Sequence, residues 1–318
     1  MTRAIIDQDI TPTSRLTEQL PDAWNVIEGI DIEQPALGAT IETADIAFVT
    51  SRVPLSRKVI QSAPELDVIA KLGTGIDSID IEAAAECGVT VTHTPGHNAL
   101  SVAEHTVGLT LATLRRLTEA RRLIECDAWR DEYSLGSRLF GSTIGIVGFG
   151  NVGKRVGTLL SGFDVDLLAH DPYVHDIDSE LVGASMVSLE DLLEQSDVVM
   201  LTTELTDETC GMIGKRELDC MKPSAVLINT ARGPVVRNGA LVDALRSGSI
   251  AGAGLDVFAE EPVDSTAEWL EFDNVVATPH ISAMTLESRR EGIDRLATNT
   301  KRLLAGRPVN ERYVATSP

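Results

Sequence analysis

The sequence predicts an α/β protein of two doubly wound domains, the second inserted into a discontinuous first. Three observations carry this reading. Short apolar runs alternate with segments of helical period along the chain, the pattern of parallel strands joined by crossover helices. A glycine-rich strand-to-helix turn, Gly148-Phe-Gly150-Asn-Val-Gly153, stands in mid-chain rather than near the start. A last helical segment, from near Thr285 to about Leu304 and stopped by Gly306 and Pro308, follows the final strand of the series.

In the first part, strands are expected at Ala4–Ile6, Ile46–Thr50, Val68–Lys71 and Thr90–Thr92, with helices such as Arg57–Ser62 and Ile81–Glu86 between them. Pro95-Gly-His-Asn98 is a turn cluster, and Ser101-Val-Ala-Glu104 reads as a capping box that opens one long helix to about Glu125. Val107, Leu111, Leu114 and Leu117 recur on that helix at helical spacing; they read as core, with a subunit interface as the alternative. From Thr143 the strand–helix pattern resumes through Val165–Ala169, Val198–Leu201, Ala225–Asn229, Gly252–Val257 and Val275–Ala277. The simplest organisation is a substrate domain of residues 1–100 plus 285–318 and a dinucleotide-binding domain of residues 101–284, both Rossmann-like, with substrate between them.

Composition bounds the function. With 318 residues the chain has length for two cores, and with 4% aromatics those cores must be mostly Ala, Val, Ile and Leu. The net charge of −21 argues against nucleic acid and anionic membrane surfaces as partners. Only 6 of the basic residues are Lys against 21 Arg. An acidic, lysine-poor surface suits molar salt, where the Debye length of about 3 Å screens self-repulsion; an ordinary acidic enzyme is the alternative. Cys87, Cys126, Cys210 and Cys220 form no C-x-x-C pair and read as buried or inert thiols of a reducing, cytoplasmic compartment. The opening Met-Thr-Arg-Ala-Ile-Ile-Asp reads as a strand, not a signal peptide, and no apolar run approaches membrane-span length. The 6 His show no metal-ligand spacing, so no metal is expected.

The glycine turn has the layout of a dinucleotide site. An apolar strand, Thr143-Ile-Gly-Ile-Val147, leads into it, and Asp171 lies 18 residues beyond Gly153, where a ribose-binding carboxylate belongs. Gly148 would permit the tight turn, Gly150 the approach of a pyrophosphate, and Gly153 close helix–strand packing. The helix N-terminus would hold the anion. Asp171 favours NAD(H), because it would repel a 2′-phosphate and no Arg follows it closely; NADP(H) stays open as a second cofactor, since molar salt would blunt that repulsion.

Three further segments sit at expected strand ends, the ligand-binding edge of such sheets: Asn229-Thr-Ala-Arg232-Gly233, Gly254-Leu-Asp256-Val-Phe-Ala-Glu260-Glu261-Pro262 and Thr278-Pro-His280. Singly, Arg232 reads as a solvated turn residue, Glu261 as surface charge and His280 as a core histidine. Jointly they supply what reduction of a 2-keto acid needs: a cation for a carboxylate and a polarised carbonyl, an imidazole to give or take a proton, and a carboxylate to fix its tautomer.

Over almost its whole length the chain resembles the D-isomer-specific 2-hydroxyacid dehydrogenase family. The resemblance rests on Gly73-Thr-Gly-Ile-Asp77-Ser-Ile-Asp80, Val102-Ala-Glu-His105, the glycine turn, Asn229-Thr-Ala-Arg-Gly233, Leu255-Asp-Val257, Glu261-Pro262 and Pro279-His280, with a 29-residue step from Arg232 to Glu261. It implies that Arg232 binds the substrate carboxylate and carbonyl, that His280 is the general acid/base, and that Glu261 orients it. It implies substrate binding by the Gly73, Thr74 and Gly75 amides. For the cofactor it implies Gly148, Phe149, Gly150, Asn151, Val152, Gly153, Asp171, Thr209, Thr230 and Ala231, with Asp256 near the nicotinamide. The product would be a D-2-hydroxy acid and the assembly a homodimer through the helix after residue 100. Ser51–Leu55, Asn98 and Met284 are expected near the substrate side chain. The chain departs from the family in Glu204-Leu205-Thr206, where Pro-Leu-Thr is usual, and in His170 before Asp171. Glu261 argues against a formate dehydrogenase, which pairs the histidine with glutamine. A phosphite dehydrogenase fits the same triad, a phosphoglycerate dehydrogenase would be expected to carry a regulatory extension, and an NAD(H)-sensing corepressor on this fold is the alternative of a different class.

Overall fold

The computed structural model describes residues 1–30, 32 and 36–316. In chain order its strands and α-helices are β1 (Arg3–Ile6), α1 (Thr13–Thr17), β2 (Asn25–Glu28), α2 (Ala36–Ile41), β3 (Ile46–Val49), α3 (Arg57–Gln61), β4 (Val68–Lys71), α4 (Ile81–Glu86), β5 (Thr90–Thr92), α5 (Ala99–Leu114) and α6 (Leu117–Glu125). There follow β6 (Thr143–Val147), α7 (Asn151–Leu160), β7 (Asp166–His170), α8 (Asp176–Glu180), β8 (Ala184–Met186), α9 (Leu189–Gln195), β9 (Val198–Leu201), α10 (Lys215–Cys220), β10 (Val226–Asn229), α11 (Asn238–Ser247), β11 (Gly252–Leu255), β12 (Val275–Ala277), α12 (Leu286–Leu304) and β13 (Val314–Thr316). The chain divides into two compact units, Met1–Asn98 with Met284–Pro318, and Ala99–Ala283.

The first unit holds a sheet of order β13-β5-β4-β3-β1-β2, parallel except for β13, which runs antiparallel to β5. Its central strands are apolar and buried on both faces, as parallel strands covered by crossover helices must be. Ile5, Ala47, Val49 and Ile69 pack with Leu37 and Ile41 of α2 and with Val59 and Ile60 of α3. Ile6, Phe48 and Ala70 pack on the other side with Ile293, Leu296 and Ala297 of α12. Thr285 caps α12 by accepting from the Ser288 amide at 3.2 Å.

The second unit holds an all-parallel sheet of order β12-β11-β10-β9-β6-β7-β8. The connections run outward in one direction from β6 and in the other from β9, so the switch point falls between these neighbours. Ile144, Ile146, Val198 and Ile228 pack with Ala103 and Leu109 of α5 and Val156 and Leu160 of α7. Val199, Leu201 and Leu227 pack with Leu192 of α9, Leu218 of α10 and Leu241 of α11.

Several local expectations fail. The long helix is two: α5 ends at Leu114, and Arg116 takes a left-handed φ of 47° before α6. The Ser137 amide donates to Leu114 O (2.8 Å) and the Tyr133 hydroxyl to Arg115 O (2.6 Å), so these carbonyls find partners from a later segment instead of a continuing helix. Ser101 is a buried residue inside α5, not its N-cap, so no capping box forms there. Leu114 is buried, while Leu117 is 53% exposed. Cys87, Cys126 and Cys210 are exposed and Cys220 half-buried, contrary to buried thiols, and all four are free. Strands β2, β8 and β13 were not expected. No helix among the described residues is long and apolar enough to cross a membrane.

Candidate active site

The glycine turn joins β6 to α7 in the second unit. Gly148 has φ +89°, and a Cβ there would lie 2.5 Å from Thr203 Cα; a Cβ on Gly153 would lie 2.4 Å from Gly148 O. Strand, turn and helix therefore meet backbone to backbone. At Gly150 an added Cβ meets no atom within 4 Å, and α7 starts at the next residue with no side chain capping it, so its first N–H groups have no partner within the helix. The Asp171 carboxylate accepts the Phe149 N–H (2.8 Å) through one oxygen and the Tyr173 N–H (2.9 Å) through the other. A carboxylate has about four acceptor sites, so capacity remains for ribose hydroxyls. The open cradle and the held acceptor fit a dinucleotide. The Phe149 ring is fully buried and its amide is bound by Asp171.

Arg232 follows β10. Asn229, at the strand end, clamps the turn: its Nδ2 donates to Arg232 O (3.1 Å) and its Oδ1 accepts from the Ala231 amide (3.0 Å). Arg232 is half-buried, and its Nη1 donates to Ala231 O at 2.8 Å. Gly233 has no room for a side chain, since a Cβ would fall 1.8 Å from the Phe258 carbonyl carbon. The Arg232 turn thus presses against the turn that leads to Glu261.

Glu261 and His280 meet directly. His280 Nδ1 lies 2.7 Å from Glu261 Oε2, and the other Glu261 oxygen accepts the Phe258 N–H at 2.9 Å. Burial acts to raise the Glu261 carboxyl, but the His280 hydrogen bond, the Phe258 amide and the positive charges of His280 and Arg232 outweigh it and hold it below the ordinary carboxylate range. With Nδ1 taken by Glu261, proton exchange with a ligand falls to Nε2.

Asp256, at the end of β11, sets the backbone of His280. Its carbonyl accepts the His280 N–H (2.8 Å), and its carboxylate accepts the N–H groups of Ile281 (2.9 Å) and Ser282 (3.0 Å). These three bonds hold His280 at φ 53°, a left-handed conformation costing roughly 1–2 kcal/mol in a residue with a Cβ. Burial would raise Asp256, yet hydrogen bonds from His105, Thr278, Ile281 and Ser282 dominate and bring it down to about 2. Asp256 is 0% exposed, and its side chain serves the loop beneath His280.

Thr230 is buried, and its hydroxyl pairs with Thr106 of α5 (2.8 Å). Ala231 is buried in the Arg232 turn. Thr209 Oγ1 donates to Glu204 O (2.6 Å) within its own loop. In the first unit, the Gly73 amide is spent on Thr94 Oγ1 (2.9 Å), which leaves the Thr74 and Gly75 amides as donors of that turn. Asn98 accepts from Thr74 Oγ1 (3.1 Å). Sequence reasoning missed Asn229, His105, Thr106 and Thr278 as parts of the second unit's site; His105 was visible in Val102-Ala-Glu-His105, but nothing there indicated its partner. Among the described residues no cluster of His, Cys, Asp or Glu suits a metal.

Residues 107–282 match the family model "D-isomer specific 2-hydroxyacid dehydrogenase, NAD binding domain". The chain belongs to this family. It is 42% identical over 257 residues to the glyoxylate reductase of Thermofilum pendens, covering 79% of this chain and 76% of that protein. It is 36% identical over 292 residues to the D-3-phosphoglycerate dehydrogenase of Mycobacterium leprae, covering 92% of this chain and 54% of that one. The chain thus spans about half the length of the phosphoglycerate dehydrogenase it matches. Its fold is similar to that of Aquifex aeolicus D-lactate dehydrogenase complexed with NAD and lactic acid, with a TM-score of 0.86, 26% identity and full coverage of both chains. In a family built on an NAD-binding domain, the glycine turn and Asp171 are the residues of this chain that fit NAD.

Proposed function

We propose that this chain is a D-2-hydroxyacid dehydrogenase that reduces a small 2-keto acid with NADH, reversibly, to the D-2-hydroxy acid. The observation that carries the reading is the Glu261–His280 pair, 2.7 Å apart, on strand-end turns of the same NAD-binding unit as Arg232. When bound, NADH supplies the hydride. Arg232 takes the substrate carboxylate and polarises the keto group through its planar fork. His280 gives the proton on Nε2 to the keto oxygen as that oxygen gains charge, and Glu261 stabilises the imidazolium through Nδ1. The Thr74 and Gly75 amides are proposed as anion donors of the first unit. Turns at Phe258 and Asn229 keep the acid/base pair and the arginine in register.

The cofactor preference is for NAD(H) over NADP(H). Asp171 is held beside the glycine turn by the Phe149 amide (2.8 Å), where a 2′-phosphate would need a cation, and the Tyr173 hydroxyl two residues on donates to a further carboxylate, Glu208 (2.6 Å). Glyoxylate is favoured as substrate by the 42% identity to a glyoxylate reductase. A cytoplasmic homodimer working in molar salt belongs to the same proposal; its supports are the net charge of −21 and the exposed Leu117, Ile124 and Trp129 after the long helix. The test is an initial-rate panel in molar KCl with NADH and, separately, NADPH against glyoxylate, hydroxypyruvate, pyruvate, branched-chain 2-keto acids and phenylpyruvate. Turnover with NADH is expected. Cofactor binding without turnover of any keto acid would shift the reading to phosphite oxidation or NAD(H) sensing.

A further inference from the structure

Two adjacent residues of α5 reach the two turns that carry the proposed chemistry. His105 Nε2 lies 3.0 Å from Thr278 Oγ1, and Thr106 Oγ1 lies 2.8 Å from Thr230 Oγ1. Counting hydroxyl protons fixes the direction of each bond, because a hydroxyl has one proton to give. Thr278 gives its proton to Asp256 Oδ1 (2.6 Å), so His105 must donate to Thr278 from Nε2. Thr106 gives its proton to Val102 O (2.7 Å), one turn back along α5, so Thr230 must donate to Thr106. The first chain runs His105 Nε2–H to Thr278 O–H to the Asp256 carboxylate, whose Oδ1 also lies 3.5 Å from His105 Nε2, and that carboxylate holds the amides of residues 281 and 282 beside His280. The second runs from Thr230, two residues before Arg232, into the helix backbone.

The helix is a rigid reference for both. Ala103 and Leu109 of α5 sit in the core of the second unit. At Gly254 of β11 a Cβ would fall 2.7 Å from Thr113 Oγ1 and 2.8 Å from Leu109 Cγ, so helix and strand are in the closest approach that glycine permits. Thr106 and Asp256 are 0% exposed, which keeps water from competing for their bonds. We propose that His105 and Thr106 are positioning residues that tie the His280 turn and the Arg232 turn to one helix and so set the distance between proton donor and carboxylate binder. The inference rests on the proposed keto-acid reduction, in which a misplacement of about 1 Å can cost on the order of 10²-fold in rate.

Four variants of the full chain separate positioning from mere stabilisation. His105→Ala removes the donor and His105→Gln keeps an N–H. Thr106→Val removes the acceptor and Thr106→Ser keeps it. His105→Ala is expected to lower kcat roughly ten- to hundred-fold with KM and NADH affinity little changed, and His105→Gln to restore most of it. Thr106→Val is expected to raise KM for the keto acid more than it lowers kcat, with Thr106→Ser restoring it. Parallel losses in kcat, KM and Tm for both sites, without rescue, would overturn the proposal. A readout independent of turnover uses ¹⁵N-labelled histidine. The wild type should carry its His105 proton on Nε2 and its His280 proton on Nδ1, and the His280 Nδ1–H signal should be lost in His105→Ala and kept in His105→Gln. A His105 proton on Nδ1 alone, or a His280 signal indifferent to His105→Ala, contradicts the clamp. A wild type with this nitrogen pattern but no keto-acid turnover would leave the clamp standing and remove the proposed reaction.

Discussion

A G-x-G turn follows a parallel strand in each of the two units, and the two turns differ in what surrounds them. Gly73-Thr-Gly75 follows β4 in the first unit, and Gly148-Phe-Gly150-Asn-Val-Gly153 follows β6 in the second. The first turn is tied to the segment that follows β5. The Gly73 amide donates to Thr94, Thr74 O receives His93 Nδ1 (2.8 Å), and the next helix, α4, begins only after Asp80 caps it. The second turn runs straight into the ten residues of α7, with open space over Gly150 and a carboxylate held alongside. Glycine content is similar, but a helix N-terminus adds several aligned N–H groups and a favourable dipole for a pyrophosphate. What makes a glycine turn a phosphate cradle is the helix that follows it and the donors left unspent.

The sharpest difference between the units should lie in chemistry. His280→Ala is expected to lower turnover by roughly 10²–10⁴, with the NADH affinity retained, as steady-state rates and cofactor titration would show. Next is Arg232→Lys: replacing the fork by a point charge should raise KM for the keto acid about 10- to 100-fold, corresponding to the ~1.5–3 kcal/mol of a hydrogen bond to a charged group. Gly148 and Gly150 should then split. Gly148→Ala must distort a positive-φ turn against Thr203 and should cost about 1–3 kcal/mol in a denaturant melt. Gly150→Ala points into the cradle and should weaken NADH binding while Tm hardly moves.

Acid should reveal Asp256. Its folded value of about 2 lies below the ordinary 3.8, so its stabilisation is complete above pH 3.8 and disappears as the pH falls through about 2. The amount is about 2 kcal/mol. Wild type and Asp256→Asn should therefore converge in stability as melts are taken from pH 4 towards 2. Glu261, also lowered, acts with the same sign below its ordinary 4.5. An effect on stability alone is expected in the first unit, where Thr94→Val strands the Gly73 amide. It should cost about 1–3 kcal/mol if that amide stays buried and less if it turns to water, with NADH affinity unchanged.

The parts legible from sequence were those with local causes. The β6 turn could be read because an apolar strand, three glycines and an acid at a fixed distance are all short-range signals. Arg232, Glu261 and His280 could be read because each follows an apolar run, and strand ends of a doubly wound sheet converge on one edge. The break at Arg116 was illegible because the groups that end α5, Tyr133 and Ser137, come from a segment well beyond it. The polar edge strand β2, Asn-Val-Ile-Glu, lacks the apolar run that marked its neighbours. The partners of Asp256, Thr230 and Gly73 were illegible because each lies in a segment distant in sequence. Only the bond partners show that the Asp256 carboxylate serves the His280 loop, that Thr230 faces α5, and that the Gly73 amide is already taken.

Following the label of NADH carrying deuterium at both C4 positions tests the central claim most directly, with the best 2-keto acid of the panel longer than glyoxylate and the product analysed by mass and chirality. The expected product carries one deuterium at C2, is the D-isomer, and forms far more slowly with His280→Ala. Unlabelled product, the L-isomer, or an unchanged rate in His280→Ala would contradict hydride transfer assisted by the Glu261–His280 pair.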